Sequence, residues 1–169
     1  MKGRQLSSQV SSQTRPTTDK IRLSVFSILG DMDRFPAVLD AFAGTGALGI
    51  ESYSRGASSV DFIDKDVSAV KINANLMDKK SFDIKKGDFF KLASSLNRSY
   101  NLIFLDPPYN VYKPCDILKK IDENSLLKMG GIIVFEEFYK TEFISIDAFN
   151  IYDERRYGDT AVRFLEKTI

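Results

Sequence analysis

Apolar residues along this chain follow two alternating patterns. In the first, short stretches of consecutive or alternating apolar residues predict strands, and these stretches occupy residues 37–42, 60–64, 82–86, 101–105 and 131–136. In the second, apolar residues recur every three or four positions and predict helices, in residues 17–30, a segment ending near 56, and residues 67–77, 90–96 and 117–126. Strands that alternate with helices predict a right-handed, doubly wound and largely parallel sheet.

The C-terminal part of the chain has a different pattern. Two extended stretches flank the tetrad Tyr157-Gly158-Asp159-Thr160. Turn-forming residues between two extended stretches are typical of a hairpin. We therefore expect an α/β fold in which an antiparallel hairpin follows the parallel strands.

Composition narrows the chemistry that this chain can perform. Its 169 residues fit one domain, and the formal net charge of +1 excludes a histone-like polycation. Histidine is absent and there is one cysteine, so a histidine base, a disulfide within the chain and a multi-cysteine zinc site are excluded. We expect no metal. No apolar run approaches the roughly 20 residues of a membrane helix, no signal-peptide pattern is present, and we expect a cytoplasmic protein.

Four acidic residues follow the predicted parallel strands. Asp40, Asp64, Asp88 and Asp106 each stand at or just after the end of a strand. Because ligands of doubly wound sheets bind outside the carboxyl ends of the strands, these acids are expected to form one rim around a site.

A glycine-rich turn follows the first strand. Gly44-Thr45-Gly46-Ala47-Leu48-Gly49 matches the dinucleotide fingerprint, and Asp64 lies where an acid commonly holds a ribose hydroxyl. Taken alone, the turn is compatible with NAD, FAD or S-adenosylmethionine (SAM). Asp40 favours SAM, because a carboxylate there would repel a pyrophosphate and attract the cationic amino and sulfonium groups.

The tetrapeptide Asp106-Pro107-Pro108-Tyr109 ends the fourth predicted strand. Two prolines remove two backbone donors and fix two φ angles, so their carbonyls are held rigidly. A carboxylate and a proline carbonyl can accept both protons of an exocyclic amine, and Tyr109 offers a face on which a base can stack. The tetrapeptide therefore predicts a site that holds a base by its amino group.

Together these motifs resemble those of class I SAM-dependent methyltransferases that modify exocyclic amino groups. Within that class the chain is similar to the 16S rRNA (guanine(966)-N(2))-methyltransferase family. The resemblance covers most of the chain and rests on residues 2–6, 15–22, 40–51, 54–57 and 106–109. It implies a Rossmann-like fold with a mostly parallel seven-stranded sheet and an antiparallel C-terminal hairpin.

The resemblance also implies the residues of the site. The catalytic group would be Asp106, Pro107, Pro108 and Tyr109. SAM, converted to S-adenosylhomocysteine, would be bound by Asp40, Ala41, Phe42, Gly44 and Gly46 at its methionine part, by Asp64 at its ribose, and by Asp88 and Phe89 at its adenine. Lys65 is a further candidate for binding the cofactor.

The expected partner is 16S rRNA in the assembled or assembling small ribosomal subunit. Residues 1–22 are interpreted as a basic, RNA-contacting arm and residues 23–169 as the methyltransferase domain of a monomer that contacts no membrane. Basic side chains can contact phosphates, and the candidates are Arg4, Arg15, Lys20, Arg22 and Arg156.

Three other functions are compatible with parts of the sequence. An adenine-N6 methyltransferase acting on DNA or RNA shares the Asp-Pro-Pro-Tyr chemistry. An NAD-dependent oxidoreductase shares the glycine turn but leaves Asp106 to Tyr109 unexplained. A non-catalytic RNA-binding factor shares the fold but needs no intact motif. Guanine-N2 methylation accounts for all the motifs and is the function we predict.

Overall fold

A computed structural model describes residues 16–169. Within them, seven strands form one sheet in the order β3-β2-β1-β4-β5-β7-β6. The strands are β1 (Ala37–Asp40), β2 (Ser59–Asp64), β3 (Phe82–Lys86), β4 (Tyr100–Leu105), β5 (Leu127–Phe138), β6 (Phe149–Tyr157) and β7 (Thr160–Lys167). Strands β1 to β5 pair in parallel, whereas β7 is antiparallel to both β5 and β6. The seven-stranded mixed sheet and the C-terminal hairpin are as predicted.

Five α-helices connect or precede the described strands. They are α1 (Pro16–Leu29), α2 (Ala47–Ser54), α3 (Ser68–Asn73), α4 (Phe89–Leu92) and α5 (Pro114–Glu123). Short 3-10 turns follow α1, α3 and α4. None of these described helices combines the length and the apolar character needed to cross a membrane.

Alternate residues of each central strand point to opposite faces of the sheet and build two cores. On one face, Val38 and Phe104 pack with α1, α2 and α3. On the other, Leu39 and Ile103 pack with α4 and α5. Covering both faces explains why these strands are continuous apolar runs, and it leaves the strand ends as the polar surface where a site can form.

The structure extends two predicted elements. Helix α1 begins at Pro16 rather than at residue 17. Proline is tolerated in the first turn of a helix because its missing N–H would have no partner within the helix. Strand β5 begins at Leu127 rather than residue 131, although its regular pairing with β4 starts at Ile132.

Helix α1 crosses the domain boundary predicted between residues 22 and 23. Ile21 is buried in the same core as Val25 and Phe26, so residues 16–22 continue into the helix that covers the sheet. The rest of the predicted arm lies outside the described residues.

Candidate active site

A cavity of about 320 Å³ opens at the carboxyl ends of the parallel strands. This volume lies at the lower end of the range typical of small-molecule sites. It is lined by Ala41, Phe42, Gly44, Asp64, Lys65, Gly87, Phe89, Asp106, Pro108 and Tyr112. Residues from the ends of β1, β2, β3 and β4 therefore meet at one place, as the doubly wound topology predicts.

The glycine turn brings backbone to the edge of this cavity. Gly44 and Gly46 have φ of +55° and +78°, in the left-handed region that favours glycine. A Cβ on Gly46 would also lie 2.7 Å from the Val70 side chain. Residues with a side chain are therefore disfavoured at both positions by the backbone conformation and, at Gly46, also by a steric clash.

Asp40 lies beneath the turn rather than in the cavity lining. The residue is 3% exposed, and its Oδ2 accepts a hydrogen bond from the Gly49 N–H at 3.1 Å. Gly46, the N-cap of α2, supplies no side-chain bond, so the Asp40 carboxyl takes over part of the capping of that helix.

Asp64 stands at the wall of the cavity with both oxygens held by backbone. Its Oδ2 accepts from the Gly44 N–H at 2.7 Å and its Oδ1 from the Asp66 N–H at 3.0 Å. Each carboxylate oxygen has a second lone pair. The side chain is therefore fixed in place and can still accept hydrogen bonds from ligand hydroxyls.

Tyr112 connects the two sides of the cavity and was not predicted from the sequence. Its hydroxyl donates to Asp88 Oδ2 at 2.6 Å and accepts from Lys65 Nζ at 3.0 Å. Lys65 Nζ also lies 3.2 Å from Asp88 Oδ2. The Tyr112 hydrogen bond, with that from Lys65, lowers the pKa of Asp88, so this carboxyl is kept ionised.

Aromatic rings form a wall of the cavity. Phe42 packs on Phe89 with ring centroids 5.6 Å apart, and Tyr112 packs on Phe90 at 5.0 Å and on Phe42 at 5.9 Å. Ring faces of this kind are suited to hold a flat heterocycle.

A second recess, of about 290 Å³, adjoins the first and is lined by Asp106, Pro107, Pro108 and Tyr109. Asp106 and Pro108 line both recesses. The Tyr109 side chain is 56% exposed and meets the edge of Phe138 at a centroid distance of 6.2 Å. The four residues predicted as catalytic thus lie together, and Asp106 stands where the two recesses meet.

Three carboxyl groups at the ends of β1, β4 and β5 have raised pKa values. Burial, with repulsion from Asp106 and Asp64, raises the pKa of Asp40 to about 7. Asp106 is open to solvent as a residue, but the surrounding protein displaces water from its carboxyl and raises its pKa to about 6. Burial and repulsion from Asp106 and Asp40 raise the pKa of Glu136. A cation bound nearby would relieve this repulsion.

Glu136 was not among the site residues predicted from the sequence. Its position near the end of β5 is visible in the strand pattern, but only the structure shows that it is partly buried and is repelled by Asp40 and Asp106. Despite this concentration of acids, the described part of the chain contains no group of three ligands arranged to hold a metal ion.

The predicted RNA-binding residues do not form one cluster among the described residues. Arg4 and Arg15 lie outside the described residues. Lys20 is exposed on α1, and Arg22 pairs with Asp19 at 3.1 Å. Arg156 is exposed in the C-terminal hairpin, with its guanidinium carbon 3.5 Å from the centre of the Tyr139 ring.

Known proteins resemble this chain over nearly its whole length. The family model described as Conserved hypothetical protein 95 matches residues 1–166. "Putative rRNA methyltransferase YlbH" of Bacillus subtilis is 34% identical over 174 residues, which cover 98% of this chain and 95% of the relative. "Ribosomal RNA small subunit methyltransferase D" of Escherichia coli K12 is 26% identical over 170 residues, 98% of this chain and 86% of the relative.

A solved structure has the same fold. It is "Putative methyltransferase yhhF from Escherichia coli", which superimposes with a TM-score of 0.82 at 24% identity and covers 91% of this chain and 88% of its own. This likeness, with the observed strand order, confirms the predicted fold class.

Proposed function

The chain belongs to the Conserved hypothetical protein 95 family, with relatives along its length named Ribosomal RNA small subunit methyltransferase D, and we propose that it is a SAM-dependent methyltransferase of ribosomal RNA. The membership confirms the resemblance that the motifs indicated. We propose further that the methyl group goes to the exocyclic N2 of a guanine in the small-subunit RNA. This substrate would place the protein in the cytoplasm.

The observation that carries the proposal is the position of Asp106. It lines the larger recess together with the glycine turn and Asp64, and it lines the smaller recess together with Pro107 and Tyr109. A methyl transfer needs a donor and an acceptor to face each other with their reacting atoms aligned. Two recesses that share one carboxylate provide this arrangement.

The larger recess fits SAM in size and chemistry. Its volume of about 320 Å³ suits a small cofactor. The aromatic wall would hold the adenine, Asp64 would accept from the ribose hydroxyls, and the buried Asp40 carboxyl would favour the cationic end. When bound, SAM supplies an electrophilic methyl group on a positively charged sulfur.

The smaller recess supplies hydrogen-bond acceptors for an amine. In the proposed reaction, the Asp106 carboxylate and a proline carbonyl accept the two N–H bonds of guanine N2, while Tyr109 stacks on the base. The nitrogen–carbon bond forms as the carbon–sulfur bond breaks, and the amine then loses a proton to Asp106 or to water. The raised pKa of Asp106 makes it a better proton acceptor than an ordinary carboxylate.

The reaction needs no strong base before the transfer, because the amine becomes acidic only as the new bond forms. Positioning two reactants well contributes on the order of 7–11 kcal/mol to lowering a barrier. The absence of histidine from the chain is compatible with this chemistry. A base that is paired or stacked in RNA must first be turned out to reach Asp106.

The proposal is tested by incubating the protein with methyl-labelled SAM and three acceptors: small ribosomal subunits lacking the modification, protein-free 16S rRNA, and DNA. We expect label in the subunits. Label in DNA alone would overturn the proposed substrate, and a thermal shift with NAD but none with SAM would overturn the proposed cofactor.

A further inference from the structure

Beside the smaller recess, the sheet brings together residues that are distant in sequence. Phe138 ends β5 and pairs with Thr160 at the start of β7, and the Tyr139 N–H donates to the Asp159 carbonyl at 2.9 Å. The turn of the β6–β7 hairpin therefore lies at the same end of the sheet as the carboxyl ends of the parallel strands, which carry the site.

A continuous series of side-chain contacts runs from the recess to this turn. Tyr109 meets Phe138 at a centroid distance of 6.2 Å, and Phe138 meets Tyr139 at 5.1 Å, both edge to face. Arg156 lies over the Tyr139 ring with its guanidinium carbon 3.5 Å from the ring centre. We call Tyr109, Phe138, Tyr139 and Arg156 the aromatic–arginine platform.

Arg156 differs from its neighbour Arg155 in the groups that its guanidinium contacts. Arg155 donates from Nε and Nη2 to the two oxygens of Asp153, at 2.9 and 3.0 Å. Arg156 instead donates from Nε to the Gly158 carbonyl at 2.9 Å, and within residues 16–169 no carboxylate forms an ion pair with it. It is exposed, so its plane and its positive charge are both presented to solvent.

These features fit single-stranded RNA. Unstacked bases are held on aromatic faces and on guanidinium planes, while basic side chains meet the phosphates. A guanidinium fixed on a ring by stacking and on a carbonyl by a hydrogen bond is already oriented for such contacts. The series of contacts also begins at Tyr109, which lines the recess proposed for the target base.

We propose that the platform binds the nucleotide next to the target guanine, with its base stacked on the Arg156 guanidinium that Tyr139 supports. This inference rests on the proposed function for the identity of the target base. Tyr139 is a positioning residue, since it acts through Arg156, and neither residue takes part in the chemical step.

The test measures binding of an end-labelled, single-stranded RNA with one guanine, by fluorescence anisotropy in the presence of S-adenosylhomocysteine and over a range of salt concentrations. Arg156→Ala should weaken binding about 10-fold and reduce the slope of log affinity against log salt by about one. Tyr139→Ala should weaken it about 5-fold. Arg156→Lys keeps the charge but lacks the plane, and should recover the slope but only part of the affinity.

Arg155→Ala is the matched control, because it removes the same charge from the adjacent residue. We expect its affinity for the RNA to stay within about 2-fold of the parent. Tyr139→Leu keeps apolar bulk but has no aromatic face, so it should weaken binding while the thermal unfolding temperature and the affinity for S-adenosylhomocysteine remain unchanged.

Several results would contradict the proposed role of the platform. Equal losses in the Arg155 and Arg156 variants would mean that only net charge matters, and full affinity in Arg156→Lys would exclude stacking. No binding of RNA by the parent protein, or tighter binding of DNA of the same sequence, would exclude RNA as the occupant. Because the assay needs no turnover, an Arg156-dependent affinity without methyl transfer would uphold the platform and contradict the proposed function.

Discussion

Replacing Asp40 by asparagine should stabilise the folded protein, and should do so more strongly at alkaline pH than in mild acid. The Asp40 side chain is 3% exposed and accepts one backbone hydrogen bond, from Gly49. Burial, with repulsion from Asp106 and Asp64, raises its pKa from 3.8 to about 7. Asparagine has nearly the shape of the protonated acid, can accept the same bond and carries no charge at any pH.

The direction of the effect follows from proton binding. A carboxyl whose pKa is higher in the folded state binds more protons there than in the unfolded chain, so stability falls as pH rises between the two pKa values. Each unit of difference between the folded-state and unfolded-state pKa corresponds to 1.36 kcal/mol. Complete ionisation of Asp40 therefore lowers the free energy of unfolding by about 4 kcal/mol. Roughly 2–3 kcal/mol of this is lost between pH 5 and pH 8.

The assay is urea unfolding of the parent and Asp40→Asn at pH 5 and pH 8. The variant's advantage should grow by roughly 2–3 kcal/mol over this interval, and removing the repulsion that Asp40 exerts on Glu136 adds to this growth. Glu123→Gln, which removes an exposed acid from α5, is the control and should show little pH dependence. An advantage of Asp40→Asn that is the same at both pH values would refute the reasoning.

Three further predictions concern catalysis and the cofactor. Asp106→Asn should reduce turnover about 100-fold or more, while its SAM affinity, measured by calorimetry, stays within a few-fold of the parent's. Near-normal turnover would contradict the role of Asp106. In the parent, because the raised pKa of Asp106 is about 6, turnover should fall about tenfold per pH unit below that value, and a flat profile to pH 5 would argue against an ionised Asp106. Tyr109→Ala should raise the KM for small subunits about 5- to 100-fold and Tyr109→Phe much less, whereas equal losses would exclude stacking.

The order of strands and helices along the chain could be predicted because helices cover both faces of the sheet. Burial on both faces favours apolar runs in the central strands, as in residues 102–105, and helices are the segments between such runs. The ends of elements were harder to predict, because local signals compete there. At the start of α1, Thr-Thr-Asp is typical of a cap, yet the helix begins at Pro16.

The acids at the strand ends could be predicted because topology alone brings the carboxyl ends of parallel strands together. Tyr112 could not, since it reaches Lys65 and Asp88 only after the chain turns at Asn110, which has φ of +58°. The contact between Tyr139 and Arg156 depends on the pairing of β7 with both β5 and β6. Such long-range pairings leave no local signal in the sequence.

The central claim, that Asp106 presents a guanine amino group to SAM, is tested most directly by identifying the methylated nucleoside. Small subunits lacking the modification are treated with the protein and SAM, and their RNA is digested and analysed by chromatography and mass spectrometry, with Asp106→Asn as a parallel reaction. The account predicts N2-methylguanosine with the parent protein and only a trace with the variant. N6-methyladenosine in place of N2-methylguanosine would contradict it.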